Sequence, residues 1–182
     1  GAVLGVVGVA LNASILRMAA FCAWSHARVP YLYPAVVGAA TGAIFVDRVL
    51  STPMRYPCNY GYIPQTLGGD GDPLDVLVIL PLPLVPGSAI RCRPVGVLRM
   101  SDEAGADEKL VAVPVPKIFE GYAHITDIEQ VSRHWLERIG HFFEHYKDLE
   151  KGKWVKLEGW GNADDAKAEI LAGVKRYQQA NA

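Results

Sequence analysis

Asp70-Gly71-Asp72-Pro73-Leu74-Asp75-Val76-Leu77-Val78-Ile79-Leu80 runs from a carboxylate-rich turn straight into an apolar strand. Its first half places three ionised side chains within six residues. Like charges repel, so a folded chain gathers them where a cation offsets the repulsion. Hard divalent cations take oxygen ligands, usually a few carboxylates with waters and substrate phosphates. Pro73 fixes its own φ and biases Asp72 toward an extended backbone. Gly71 supplies a turn that other residues resist. The carboxylates can therefore be held convergent before a metal arrives. The competing account is an Asx-rich surface turn. An EF-hand fits poorly: counted from Asp70, the sixth position holds Asp75 where that loop needs Gly, and the twelfth holds Pro81 where it needs Glu.

Outward from this loop, Leu67-Gly68-Gly69 leads in, and Ser51 to Gly61 is rich in turn formers and tyrosine, with Tyr56, Tyr60 and Tyr62 spaced at its end. Ala43 to Val49 reads as a strand. Downstream, Ala89 to Arg99 is a strand region interrupted at Pro94 and Gly96, where a bulge or sharp bend is expected. Ser101 to Lys109 is an acidic connection and Leu110 to Val113 a short strand. Val131, Trp135, Ile139, Phe142, Phe143, Tyr146 and Leu149 recur at spacings of three and four, the apolar face of a helix that Gly152 is expected to stop. Lys153 to Trp160 reads as a strand. Asn162 then opens a second helix as N-cap, with Asp165 completing a capping box. Short strands bent by Pro and Gly, followed by two helices, predict a small closed β-barrel with helices packed outside.

At 182 residues, with a formal net charge of −1, the chain has the length of one domain and not the charge of a general nucleic-acid or membrane-surface binder. Cys22, Cys58 and Cys92 form no disulfide framework and point to a reducing compartment. The first 46 residues differ from the rest. They hold no Asp, Glu or Lys, and their formal charges are Arg17 and Arg28 alone. A signal peptide would need a basic segment ahead of the apolar run. A membrane span would need about 20 apolar residues, and Arg17 interrupts this run.

A second acidic cluster, Asp102, Glu103 and Asp107, precedes Lys109. By itself it is a solvated loop. With the aspartate loop it becomes two carboxylate groups at strand ends that can face one cavity and hold two or more divalent metals. Such a pair clamps an in-line displacement at phosphorus and generates a hydroxide nucleophile. Arg48, Tyr56, Tyr60, Lys109, Tyr146 and Lys147 are the cationic and phenolic candidates, each also explicable as an exposed cation or a core aromatic. His141 and His145 stand four apart on one helical face. Without an H-E-x-x-H pattern they are read as structural or surface residues.

The aspartate loop resembles the signature of the soluble, Mg²⁺-dependent inorganic pyrophosphatases of the first family. Phe45-Val46-Asp47-Arg48, Met54-Arg55-Tyr56-Pro57-Cys58-Asn59-Tyr60-Gly61-Tyr62-Ile63-Pro64, Asp102-Glu103-Ala104-Gly105-Ala106-Asp107 and His141 to Val155 resemble the same family, close to its bacterial branch. The resemblance covers Thr41 to Ala182. It implies a mainly β fold, a five-stranded OB-like barrel with two flanking C-terminal helices, in a single domain over residues 1–182 with residues 1–40 anomalous. It implies Mg²⁺ on Asp70, Asp75, Asp102 and Asp107, with Asp72 as general base. Arg48, Tyr60, Lys109, Tyr146 and Lys147 would hold phosphate oxygens, supported by Tyr56. The implied substrate is pyrophosphate and the product phosphate, in a cytoplasmic homohexamer without nucleic-acid or membrane partners. The alternative is a catalytically impaired binding or assembly subunit on the same fold.

That alternative arises upstream of Thr41. A lysine and two glutamates of the family's pattern fall, counting back without gaps, on Pro34, Val36 and Ser25. True divergence, a membrane or targeting extension, and a reading-frame error would each account for this. The error is the expectation, because charged residues make up about 25% of ordinary soluble chains. Intact mass and N-terminal peptide sequencing should then disagree with residues 1–40 as written. A measured peptide reading Val29-Pro30-Tyr31-Leu32-Tyr33-Pro34-Ala35-Val36 would refute the error.

Overall fold

The structure, a computed structural model, describes residues 49–181. Arg48 and residues 1–40 lie outside the described residues, as does the strand expected at Ala43–Val49 but for its last residue.

The apolar run after the aspartate loop forms β2 (Asp75–Val78). It pairs antiparallel with β1 (Asn59–Tyr62) on one side and parallel with β5 (Lys109–Pro114) on the other. The longest strand, β3 (Cys92–Asp102), pairs with β5, with the two-residue β4 (Gly105–Ala106) and with β6 (Val155–Gly161). Among the described residues the sheet thus has six strands in the order β1-β2-β5-β3-β4, with β6 also on β3. Among the described residues it does not close into a ring, since β1 pairs with β2 alone. The acidic stretch expected as a connection is instead a hairpin. β3 continues through Asp102, Gly105 takes φ +128°, and the Asp102 carboxylate accepts the Ala104 N–H at 2.7 Å to fix the turn.

The expected interruption at Pro94 and Gly96 is a bulge, with register passing from Pro94↔Ala112 directly to Gly96↔Val111. One extra residue reverses the parity of side chains along a strand. Val95 before the shift and Leu98 and Met100 after it therefore enter one core, with Leu77, Ile79, Val111 and Val113. Val97 enters a second, with Leu74 and Leu110. A Cβ on Gly96 would lie 2.7 Å from Ile128 Cδ1 and 2.8 Å from the Gly161 carbonyl oxygen, so the close crossing of β3 requires glycine.

Each core receives one helix. Helix α1 (Arg133–His145) buries Ile139, Phe142 and Phe143 in the first. It ends earlier than the sequence stripe predicts: Tyr146 is its C-cap, and Leu149 is exposed. Successive helical residues point about 100° apart, and ending here lets the neighbours Tyr146 and Lys147 both turn inward, where they are buried. Helix α2 (Ala163–Ala180) packs Ala166 and Ile170 into the second core. Its predicted cap is realised, the Asn162 side chain accepting from Asp164 N and Asp165 N while Asp165 accepts from Asn162 N. No helix of the described residues is long and apolar enough to cross a membrane.

Two glycines should respond oppositely to alanine. Gly140 lies inside α1, and its nearest neighbour to an added Cβ is Leu157 Cδ1 at 3.7 Å, an ordinary contact. Gly140→Ala should stabilise by about 0.5–1 kcal/mol, and Gly96→Ala should destabilise by about 1–3 kcal/mol through overpacking. Urea unfolding of the two variants measures both.

Candidate active site

The parallel pairing of β2 and β5 builds the centre of the site. Val76 lies opposite Leu110, so the preceding residues, Asp75 and Lys109, enter their strands side by side at the same end. Lys109 Nζ is 2.5 Å from Asp75 Oδ2 and 2.5 Å from Asp107 Oδ1. The Lys109 side chain is only 4% exposed. Burial works against its charge, but the two carboxylates outweigh burial and push it up to about 12, so Lys109 stays protonated.

The hairpin of β3 and β4 brings the second acidic cluster to the same end. Lys147, turned inward at the end of α1, places Nζ 2.6 Å from Asp102 Oδ2 and 3.5 Å from Glu103 Oε1. Burial pushes the Asp102 carboxyl up, but the Lys147 and Ala104 hydrogen bonds bring it below its ordinary value. Glu103 is held at about 2, chiefly by its hydrogen bond from Lys153. Asp107 connects the clusters. Burial, then the charges of Asp75 and Asp102, raise its carboxyl despite Lys109. In the aspartate loop, the Asp70 carboxylate accepts the Asp72 N–H at 3.1 Å, an Asx turn, so the surface-turn geometry is present within this loop. Asp72 is raised by burial and then by the charges of Asp70, Asp75 and Asp107.

Aromatic rings floor this cluster. Tyr56 and Tyr60 stack at 4.5 Å between centroids, Tyr56 meets Phe142 at 4.7 Å, and Tyr146 stacks on Phe142 at 5.4 Å. Lys109 Nζ lies 5.9 Å from the centroids of both Tyr60 and Phe143, and Lys147 Nζ lies 5.5 Å from that of Tyr146. Burial, with the charge and hydrogen bond of Asp75, drives the Tyr60 phenol far above its ordinary value. Burial also raises Tyr146. Both hydroxyls therefore remain donors across the neutral range.

The structure thus gathers Asp72, Asp75, Asp102, Asp107, Lys109, Lys147, Tyr56, Tyr60 and Tyr146, with Asp70 at the exposed lip. Arg48 lies outside the described residues. The sequence reading gave no role to Lys153, which pairs with Glu103, or to the Phe142–Phe143 floor. The paired phenylalanines on the helix stripe signalled only burial, and nothing local linked Lys153 to a residue so far back in the chain. His141 and His145 sit with rings 4.7 Å apart, and His145 Nδ1 is 2.9 Å from Asp148 Oδ2.

Among the described residues, no group of three or more His, Cys, Asp or Glu side chains is arranged to enclose a metal. The carboxylates instead converge on lysines. The residues nonetheless fit a hard divalent cation. The donors are all carboxylate oxygens, and burial, then the charges of neighbouring carboxylates, raise Asp72 and Asp107, a balance that a hard cation would relieve.

A bent sheet of this kind, with acidic strand ends braced by buried lysines over an aromatic floor, defines a class of sheet protein whose site calls for cations. Residues 34–178 match the family model described as inorganic pyrophosphatase. An inorganic pyrophosphatase from Xanthomonas campestris is 77% identical over 141 residues, 78% of this chain and 79% of its own length. That from Escherichia coli is 65% identical over 136 residues, 75% of this chain and 77% of its own. Among solved structures, the inorganic pyrophosphatase from Helicobacter pylori superposes with a TM-score of 0.73 at 48% identity, covering 76% of this chain and 81% of that one. The chain belongs to the inorganic pyrophosphatase family, whose members have an OB-like fold. Nothing in these likenesses supports the alternative of an assembly subunit.

Replacing Lys109 tests the electrostatics directly. Lys109→Met leaves Asp75 and Asp107 facing each other without a cation, and should destabilise the protein by about 3–5 kcal/mol near pH 7.5. Asp107 is already raised by burial and loses the cation that lowers it, so the penalty is complete above its folded pKa. It shrinks as falling pH protonates that carboxyl. Urea unfolding should therefore show a smaller loss at pH 5.5 than at pH 7.5.

Proposed function

We propose that this chain hydrolyses inorganic pyrophosphate to two phosphates, with Mg²⁺ as the working metal. The observation that carries the reading is the convergence of Asp72, Asp75, Asp107 and Asp102 around Lys109 and Lys147, in a chain of this family. Asp70, Asp75, Asp102 and Asp107 would hold the metal. When bound, Mg²⁺ supplies charge neutralisation at the phosphoryl oxygens and makes a water acidic enough to react near neutral pH.

The chain's own residues do the rest. Asp72 accepts the proton of the attacking water at its carboxylate; its raised pKa brings its basicity closer to neutrality, the direction that suits a general base. Lys109 and Lys147 stay charged and bind phosphate oxygens, with Arg48 as a further cation. Tyr60 and Tyr146 remain protonated and donate to the same oxygens, and Tyr56 stacks on Tyr60 to fix its ring. Pyrophosphate is highly charged, and its transition state spreads that charge over equatorial oxygens, so preorganised cations and hydroxyl donors are what lower the barrier. We extend the reading to a cytoplasmic homohexamer, supported by the resemblance to bacterial members of the family.

Phosphate release from pyrophosphate should depend on Mg²⁺, and no metal-dependent turnover by the native protein would sink the proposal. Asp72→Asn keeps the shape but removes the basicity, and kcat should fall roughly 10²–10⁴-fold. Near-native turnover in that variant would make Asp72 merely structural. Asp75→Ala should act chiefly on the Mg²⁺ concentration required, because a ligand is lost.

A further inference from the structure

The aspartate loop hangs between two anchors, and both lie against helix α2. At its far end, Leu74 is buried in the second core with Ala166 and Ile170. Its N–H donates to the hydroxyl of the buried Thr66 at 3.0 Å, and that hydroxyl donates to the Ile63 carbonyl at 2.6 Å. At the near end, both backbone groups of Leu67 are taken by α2. Leu67 N donates to the Gly173 carbonyl at 3.0 Å, and the Leu67 carbonyl accepts from Arg176 Nε at 2.7 Å. A Cβ on Gly173 would lie 2.6 Å from Leu74 Cδ1 and 3.1 Å from the Leu67 carbonyl oxygen, so the two anchors meet at this glycine.

The Leu67 carbonyl and the Gly68 N–H belong to one peptide unit, which is planar and rigid. Arg176 holds one edge of that plane. The other edge, Gly68 N–H, donates to the Asp72 carbonyl at 2.6 Å. The orientation set by the guanidinium is thus carried through a single rigid plate to the backbone of Asp72. Arg176 is itself held by Glu169, whose Oε1 receives its Nη2. The hydrogen bond between Arg176 and Leu67 spans 109 residues of sequence, and no motif around either residue announces it.

We propose that Arg176 is a positioning residue for the aspartate loop, fixing the Leu67–Gly68 peptide plane and through it Asp72 and the neighbouring carboxylates. Its consequence for metal binding rests on the function proposed above. Groups that orient metal ligands from behind typically change affinity about 10–100-fold when removed.

The test uses Arg176→Met, which keeps the stem and removes every donor, and Arg176→Lys, which keeps one charged donor for the Leu67 carbonyl. In metal-free protein, amide exchange at Gly68 and Asp72 should accelerate roughly tenfold in Arg176→Met while β2 and β5 keep native protection. Arg176→Lys should recover part of the difference. Calorimetry should show Mg²⁺ binding weakened roughly 10-fold. Unchanged loop exchange, exchange accelerated equally throughout the protein, or unchanged Mg²⁺ affinity would each overturn the proposal. If the native protein binds no Mg²⁺, the function reading fails, and loop exchange alone upholds or overturns the role of Arg176.

Discussion

The site depends on one buried ammonium. Lys109 lies almost without solvent between Asp75 and Asp107, and the three charges tie the start of β2, the start of β5 and the end of the β3–β4 hairpin together. A buried charge left alone is strongly unfavourable, and two carboxylates left without it are equally so. The interaction is therefore a constraint more than a source of stability. It fixes which strand ends meet and keeps a field of negative charge concentrated without forcing the chain apart. The aromatic floor serves the same arrangement, since ring faces over 5 Å from the lysine nitrogens attract charge without offering a competing acceptor.

The sheet allows this concentration because it carries two separate cores. The bulge at Val95 switches the inward face of β3, so one strand contributes to both cores and α1 and α2 can pack on different surfaces. Helix α1 ends where Tyr146 and Lys147 must both face the strand ends. Helix α2 lies behind the aspartate loop and receives its two anchors. Each helix thus serves the site from a different side, one with side chains that reach into it and one by holding the backbone that carries it.

Much of this was legible in the residues. The aspartate loop, the break at Pro94 and Gly96, the Asn162 cap and the helix stripe rest on local rules of φ, capping and periodicity, and those rules operate over a few residues. The gathering of Asp75, Lys109 and Lys147 came from the family resemblance, because pairing between distant strands leaves no local mark. What the sequence concealed is of the same kind. The acidic stretch after β3 read as a connection, since a two-residue strand is too short to carry a period. Helix α1 read as longer than it is, because Tyr146 and Leu149 continue the apolar spacing although the backbone has left the helix. Lys153 meeting Glu103 and Arg176 meeting Leu67 are long-range contacts of ordinary charged residues, indistinguishable in sequence from solvated ones.

The parallel neighbours β2 and β5 also govern the order in which the molecule can be made. Asp75 and Lys109 are 34 residues apart, and the chain between them includes β3 and its hairpin, so their meeting closes a long loop. Contacts of such separation form late in folding, after local turns and helices. Until then the two acidic clusters are apart and solvated, each a weak ligand for any cation. The acidic centre therefore comes into being in one step with the crossover, and a chain stalled short of that pairing would lack the assembled site.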